Sequence, residues 1–379
     1  MGPLEGLKIV EFGGMGPAPF CAQMLTDMGA QSIRIERKGG PAVRWGAPKY
    51  NILFRGRKAI YIDFKKAEGI DAVLKLIGKA DASIEGFRPG AMERLGLGAD
   101  ACLQRNPYLV YGRLTGWGQD GPLCQTAGHD INYLALSGGL HAIGSNGGQP
   151  IPPLNIIADY AGGGLMLAFG IVCALMERHR SGRGQVVDAA MIDGCAALFG
   201  SFYGWWQAGV WQNQRGVNIL DSGAHFYNTY ETADGKYIAL GSLEPPFYKI
   251  MLELFGIIDD PDFEEQMDSC RWTELKEKLA AVIKKKTRQQ WCDIMENSDA
   301  CFTPVLDFDE AVAHPHNKAR GTFIDIEGVI QPAPAPRFSM TSPEVKEPPT
   351  EPGTQTRQAL LEWGFDNEEI DALVSAKVI

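Results

Sequence analysis

The sequence predicts an α/β chain, with a large domain built on a parallel sheet and a smaller α+β domain after it. Three observations carry that expectation. Short apolar runs alternate with helical runs from residue 7 to residue 114, the pattern of repeated βαβ units. From His129 the texture becomes helical and glycine-rich. Near residue 220 it changes again, to a hairpin followed by polar amphipathic helices.

The first element is a strand over 7–12, apolar except for Lys8 and Glu11. A turn from Gly13 to Pro19 leads into a helix from Phe20 to Met28, which Gly29 closes. Residues 31–36 return as a strand ending on Glu36. Strands at 59–64, 82–85 and 107–114 and a helix at 68–79 repeat the pattern, so the sheet is parallel and covered on both faces. A long helix is expected from Asp159 to about Arg180, ended by Ser181-Gly-Arg-Gly184, with a short strand at 185–188 before another helix. Its core, Tyr160 to Met176, is 17 residues long. A membrane span needs about 20, so this is expected to be a buried helix. Further on, strands at 226–232 and 236–240 flank Ala233-Asp-Gly235, a suitable hairpin turn. Helices at 246–255, 273–286 and 288–296 and a strand at 302–306 make 224–320 a second, smaller domain. The proline-rich stretches 331–337 and 343–353 read as extended connectors, and 354–375 as a helical tail.

Composition bounds the function. Among 379 residues, 45% are apolar and 22% charged, which excludes a disordered chain, and the 45 glycines show no three-residue period. The net charge is −10, yet residues 1–110 hold 16 Lys and Arg against 11 Asp and Glu. Such a chain is a poor nucleic-acid binder overall but could hold a small polyanion on its basic third. The eight cysteines form no CxxC pair and no Cys/His cluster, the usage of a reducing compartment rather than of a disulfide framework or zinc site.

Several residues stand out as candidates for chemistry. Gly14-Met-Gly16 with Glu36 suggests a dinucleotide fingerprint, but the third glycine is missing and Pro17 and Pro19 crowd the turn. Basic residues gather near strand ends: Arg34, Arg37 and Lys38; Arg55, Arg57 and Lys58; Lys65 and Lys66; Arg88. Arg37, Lys65 and Arg88 follow three separate strands and could converge on phosphates; a solvated charged face explains them equally well. His129 and Asp130 stand at an expected helix start, where free N–H groups can face a developing oxyanion. Asn155 and Asp159 lie four residues apart, on one helical face, and Asp159 reads either as a helix cap or as a carboxylate in use. Glu244 sits in a loop after the second hairpin strand. His314-Pro-His316 lacks a third metal ligand and reads as surface. Nucleophile-elbow, P-loop and HExxH patterns are absent.

Taken in order, these segments resemble the α-methylacyl-CoA racemases of the class III CoA-transferase (CaiB/BaiF) family, from residue 6 to about 338. The most specific stretches are Gly128-His-Asp-Ile-Asn-Tyr-Leu-Ala-Leu-Ser137, Pro153-Leu-Asn-Ile-Ile-Ala-Asp-Tyr-Ala-Gly-Gly-Gly164 and Ser181-Gly-Arg-Gly-Gln-Val-Val-Asp-Ala-Ala190. Asn218-Ile-Leu-Asp-Ser-Gly-Ala224, Leu240-Gly-Ser-Leu-Glu-Pro-Pro-Phe-Tyr248 and Asp299-Ala-Cys-Phe-Thr-Pro-Val305 add to them. The resemblance implies an interlocked homodimer. Each chain would have a large Rossmann-like domain over 1–190, completed by 330–379, and a small domain over 224–320. Linkers over 191–223 and 321–330 would join them. The site would lie between the large domain of one subunit and the small domain of the other.

The resemblance also implies that Arg37, Ile62, Asp63, Phe64, Lys65 and Arg88, with Gly128 and Tyr133, hold the CoA of a 2-methylacyl-CoA substrate. His129 and Asp159 would flank the α-carbon as the two acid/base groups. Glu244 would orient the imidazole, Asn155 would support Asp159, and the backbone N–H of Asp130 would face the enolate oxygen. No metal and no further cofactor is implied. Two alternatives remain: a class III CoA-transferase with Asp159 as nucleophile, and a non-catalytic acyl-CoA binder, which would not need the His129, Asp159 and Glu244 set. The chain ends Ala376-Lys-Val-Ile379, without a Ser-Lys-Leu-type peroxisomal tripeptide, so a cytoplasmic location is expected, with a peroxisomal or mitochondrial one as the alternative for a eukaryotic source.

Overall fold

The computed structural model describes residues 2–37 and 46–379, so Lys38 of the first basic group lies outside the described residues. The chain folds as two compact units. One combines Met1–Ser137, Leu154–Leu198 and Gly321–Ile379; the other combines Gly138–Pro153 and Phe199–Arg320.

The larger unit is an α/β structure built on six strands: β1 (Lys8–Phe12), β2 (Gln31–Glu36), β3 (Arg57–Tyr61), β4 (Ala82–Glu85), β5 (Val110–Thr115) and β6 (Val186–Ala190). All pairings are parallel, and the order is β3-β2-β1-β4-β5-β6. The chain reverses its direction of growth between β1 and β4, which opens a crevice beyond their carboxyl ends. Helices cover both faces of the sheet and bury apolar residues on each, with Ile9, Val10, Ile33, Ile35, Ile60 and Ile84 all at most 1% exposed, alongside the buried charges Glu11, Arg34 and Arg57. Helix α2 (Ala67–Ile77) lays Ala72, Val73, Leu76 and Ile77 on one side of the sheet. The C-terminal helices Thr356–Glu362 and Asn367–Ser375 add Leu360, Trp363 and Ile370 to the same core. Each such fully buried side chain stabilises by roughly 1.5–3 kcal/mol.

Beyond shifts of a few residues at strand ends, four differences from the sequence reading stand out. Helix α1 spans Pro17–Asp27, three residues earlier than expected, because Gly16 (φ 67°) turns the chain and Pro17 takes the first helical position. The prolines that crowd the turn are thus part of its first helical turn. The long helix begins as a π-helix over Ile156–Leu165 and continues as an α-helix over Met166–Ser181. Asp159 is therefore in the first turn, and Asn155 holds the capping position. By length and composition Ile156–Ser181 could cross a membrane. It packs Leu167, Ile171 and Leu175 toward β5 and β6, and it leaves Phe169 and Met176 67% and 70% exposed, so only one face is buried.

The third difference is the stretch 191–223, read as a linker: beyond the helix expected after the short strand, which is Met191–Leu198, it carries a second helix, Gly200–Gln207. The fourth is the return linker, which holds a hairpin, Phe323–Ile326 paired with Val329–Pro332, turned at Glu327 and Gly328 with φ of 51° and 78°. A Glu-Gly pair lacks the usual Asn-Gly signature of a turn with both central φ angles positive, which is why the sequence hides it.

Most of the basic residues near strand ends are neither ligand-facing nor solvated. Arg55 reaches Asp27 by two hydrogen bonds of 3.0 and 2.6 Å and also donates to Gln331 and the Pro332 carbonyl. Arg57 pairs with Glu11 at 2.7 Å, both side chains at most 1% exposed. Arg34 pairs with Glu36 at 3.0 Å and lies 3.7 Å over the Phe54 ring. Lys58 pairs with Glu362, and Lys66 donates to the Ala376 and Lys377 carbonyls, fastening the C-terminal tail to the end of β3.

The smaller unit has a three-stranded antiparallel sheet, β7 (Tyr227–Glu231), β8 (Tyr237–Gly241) and β9 (Phe302–Pro304). Helices Pro245–Phe255, Trp272–Ile283 and Arg288–Met295 pack Met251, Leu275, Leu279 and Trp291 into its core. His314 is not a free surface residue, since its Nε2 lies 2.9 Å from Glu296 Oε1.

Candidate active site

A cavity of about 730 Å³ opens at the switch point of the parallel sheet, beyond the carboxyl ends of β1, β4 and β5. Gly14 to Ala18 supply its wall after β1, Gly86 to Pro89 after β4, and Leu114 to Trp117 after β5. His129, Asp130, Tyr133, Asn155, Asp159 and Met191 also line it, with Cys124 and the stretch Thr126 to Gly128. Residues far apart in sequence converge because parallel strands deliver all their carboxyl-end loops to one edge.

His129 caps the helix Asp130–Leu136 with extended backbone (φ −133°, ψ 175°), and its N–H donates to Asn132 Oδ1 at 3.0 Å. The helix turns Tyr133 inward, 6% exposed and edge-on to Trp117 at 4.7 Å. Gly116 makes room for that ring, since a Cβ there would fall 2.1 Å from it. Asp130 is 4% exposed and accepts hydrogen bonds from two backbone N–H groups of the π-helix.

Asp159 projects into the cavity from the first turn of the π-helix, and Asn155 Nδ2 donates to its Oδ2 at 3.1 Å. The same oxygen lies 3.0 Å from where a Cβ would stand on Gly16, so the carboxylate rests on bare backbone. Burial pushes the Asp159 carboxyl above its usual range, and the neighbouring Asp130 charge adds to this; the Asn155 hydrogen bond and the His129 charge pull the other way. A carboxyl that takes a proton more readily than a solvated one is suited to proton transfer.

The expected CoA-binding residues are spread over three strand ends. Arg37 follows β2 and is exposed; Lys65 follows β3 and is exposed; Arg88 lies in the loop after β4 and lines the cavity. Ile62 is 0% exposed and Phe64 8%, both in the core, so these two can offer a ligand only backbone. The Asp63 N–H is taken by the Val378 carbonyl at 2.8 Å, and the Asp63 carboxylate accepts the Lys65 N–H at 3.1 Å. Gly128 abuts the Tyr133 and Trp117 rings at the cavity wall. Glu244 belongs to the smaller unit, exposed at the N-terminal cap of Pro245–Phe255. Among the described residues no group of His, Cys, Asp and Glu has the arrangement of a metal site.

A clamp on the Arg88 loop went unseen in the sequence. Glu85 ends β4, 4% exposed, and accepts the Phe87 N–H at 2.7 Å. Arg113, opposite it in register on β5, reaches Glu85 at 3.4 Å and pairs with Glu93 beyond the loop. The signal was available: a charged last residue in a short central strand of a two-faced sheet needs a partner. Burial pushes the Glu85 carboxyl up to about 7, against the pull of the Phe87 N–H and Arg113. The unfolded carboxyl titrates at about 4.3, so the folded state holds the extra proton and stability falls as pH rises from there through about 7. The Glu85→Gln variant should show a smaller fall in melting temperature between about pH 5 and pH 8 than the parent. An equal fall would show that Glu85 does not titrate in that window.

Comparison with known proteins follows the same lines. Residues 4–356 match the CoA-transferase family III. The chain is 45% identical over 379 residues to a Mus musculus protein named alpha-methylacyl-CoA racemase, covering 99% of this chain and 97% of that one. It is 44% identical over 381 residues to the Homo sapiens protein of the same name, again covering 99% and 97%. A crystal structure of a CAIB/BAIF family protein from Brucella suis superposes with a TM-score of 0.81 at 26% identity, over 96% of this chain and 99% of that chain.

Proposed function

The chain belongs to CoA-transferase family III, and from that premise we propose that it is an α-methylacyl-CoA racemase acting by two-base proton transfer. The observation that carries this is the pair of acid/base groups, His129 and Asp159, lining one cavity at the sheet's switch point. Full-length identity of 45% and 44% to two proteins named as that racemase supports the same assignment.

In the proposed mechanism one group removes the α-proton of the thioester. The C–H electron pair moves into an enolate, and the other group, already protonated, delivers a proton to the opposite face. The N–H of Asp130, first in its helix and without an intrahelical acceptor, faces the enolate oxygen. Asn155 holds the Asp159 carboxyl in place. Arg37, Lys65 and Arg88, with backbone at Ile62 to Phe64 and the wall at Gly128 and Tyr133, take the CoA moiety. The reaction draws on no cofactor, because proton removal and return are within the means of two side chains.

We place the enzyme as an interlocked homodimer in which Glu244 of the partner subunit orients the His129 ring. Exposed apolar side chains, among them Phe169, Met176, Trp206 and Val210, support an extensive subunit interface. Eight free cysteines favour a reducing compartment such as the cytoplasm.

The direct test is proton NMR of a single-epimer 2-methylacyl-CoA with enzyme in D₂O. Loss of the α-proton signal together with growth of the other epimer is the expected result. No α-exchange, with a hydroxamate trapped at Asp159 by hydroxylamine, would instead identify a CoA-transferase.

A further inference from the structure

We propose that the Asp130 side chain is a positioning residue that locks the two acid/base groups into one geometry. This rests on the assignment of His129 and Asp159 as that pair. Asp130 follows His129 directly in the chain, so the two share one backbone. Its Oδ2 accepts the N–H of Ala158 at 2.8 Å and the N–H of Asp159 at 2.8 Å. One carboxylate oxygen thus ties the helix start that carries His129 to the first turn that carries Asp159.

An ordinary first-turn aspartate does neither of these things. It faces water and interacts with its own helix. Asp130 is instead 4% exposed, and its Oδ1 is buried with no hydrogen-bond partner. Burying a carboxylate with a spare acceptor is costly, so the arrangement calls for a compensating role. The π-helix explains the need locally. The first N–H groups of a helix have no intrahelical acceptors, and Asp130 satisfies two of them where Asp159 must be held still.

The charge of Asp130 has a second consequence. It raises the affinity of the Asp159 carboxyl for a proton. The other groups that act on Asp159 are few. His129 and Tyr133 come from the segment that carries Asp130, Cys195 comes from the helix Met191–Leu198, and Asn155 lies on its own element. The turn before α1 sets Gly16, which has no side chain, against the carboxylate and carries no titratable group from Gly13 to Pro17.

Two variants separate position from charge, assayed for inversion of each epimer across pH with α-exchange in D₂O alongside. Asp130→Ala frees both N–H groups, and kcat should fall by about 100-fold with KM little changed, the usual consequence of a misplaced catalytic group. The loss should be equal in both directions, because the two epimers are near parity at equilibrium. Asp130→Asn keeps an acceptor oxygen but removes the charge. It should restore kcat to within about tenfold of the parent, while the acid limb of its kcat/KM profile moves to lower pH because Asp159 loses a neighbouring negative charge. Asp130→Ala with kcat within about twofold of the parent would overturn the inference. So would an unshifted acid limb in Asp130→Asn, which also carries the test if the alanine variant does not fold. Parent enzyme that exchanges no α-proton would overturn the racemase assignment beneath it, a result distinct from either.

Discussion

Replacing His129 with Ala, or Asp159 with Asn, should each reduce epimer inversion by about 10²–10⁴-fold, the worth of one positioned acid or base. The two losses should differ in kind when the reaction is run in D₂O. With His129 gone, only the face served by Asp159 can lose its α-proton, so one epimer still exchanges and the other does not. With Asp159 replaced, the pattern should reverse. Asn at 159 keeps the size of the side chain, and the Asp130 bonds reach the backbone of 158 and 159 rather than the side chain. Loss of activity there reports the missing acid/base group and not a collapsed wall. Inversion near the parent rate in either variant would remove that residue from the chemistry. Loss of exchange for both epimers in both variants would mean that the groups do not serve opposite faces.

What could be read from the sequence, and what could not, follows from the range of the signals. Strands β2 and β4 lie at the residues the sequence marks, because Ile33, Ile35 and Ile84 fall in short segments set between helical runs, although Ser32, Arg34 and Ser83 are buried with them. The second unit's hairpin was legible because Ala233-Asp-Gly235 is a strong turn, with Gly235 at φ 74°. The π-helix was not legible. It shares its composition with an α-helix and differs only in which carbonyl each N–H reaches. Asn155 and Asp159 were paired on an assumed α-helical face and are in contact, although the backbone between them is π-helical.

The basic residues show the opposite failure. A run of Arg and Lys at strand ends reads equally as a ligand site or as a wet surface. Only three-dimensional pairing shows that Arg34, Arg55 and Arg57 are committed to carboxylates inside the protein. Arg37 and Lys65 remain exposed beyond their strands, and Arg88 lines the cavity. Arg34 has its partner Glu36 two residues on in the same strand, but local sequence could not separate Arg55 and Arg57, because their partners Asp27 and Glu11 lie on other elements.

Arg57→Met should destabilise the larger unit by about 3–5 kcal/mol, the cost of leaving a buried carboxylate without its partner. Glu11 sits on the central strand β1, 0% exposed, and burial already pushes its carboxyl above the usual range while Arg57 holds it down. With the Arg57 guanidinium gone, Glu11 must either take a proton or remain charged and buried with only the Arg34 charge to offset it. The pair is not well satisfied even when intact: Glu11 Oε1 and Arg57 Nε and Nη2 have no hydrogen-bond partner. The double variant Glu11→Leu/Arg57→Met should therefore recover most of the lost stability in urea unfolding, since apolar side chains pay no such desolvation. Recovery of fold need not mean recovery of function. Arg57 Nη1 also donates to the Pro19 carbonyl at 3.0 Å, in the first turn of α1. That turn follows Gly16, on which the Asp159 carboxylate rests. The double variant should thus be stable but slower, its kcat lowered by loosening of the wall beneath Asp159. If the single variant unfolds at the same urea concentration as the parent, the pair does not hold the β1–α1 junction, and its retention in the core needs another cause.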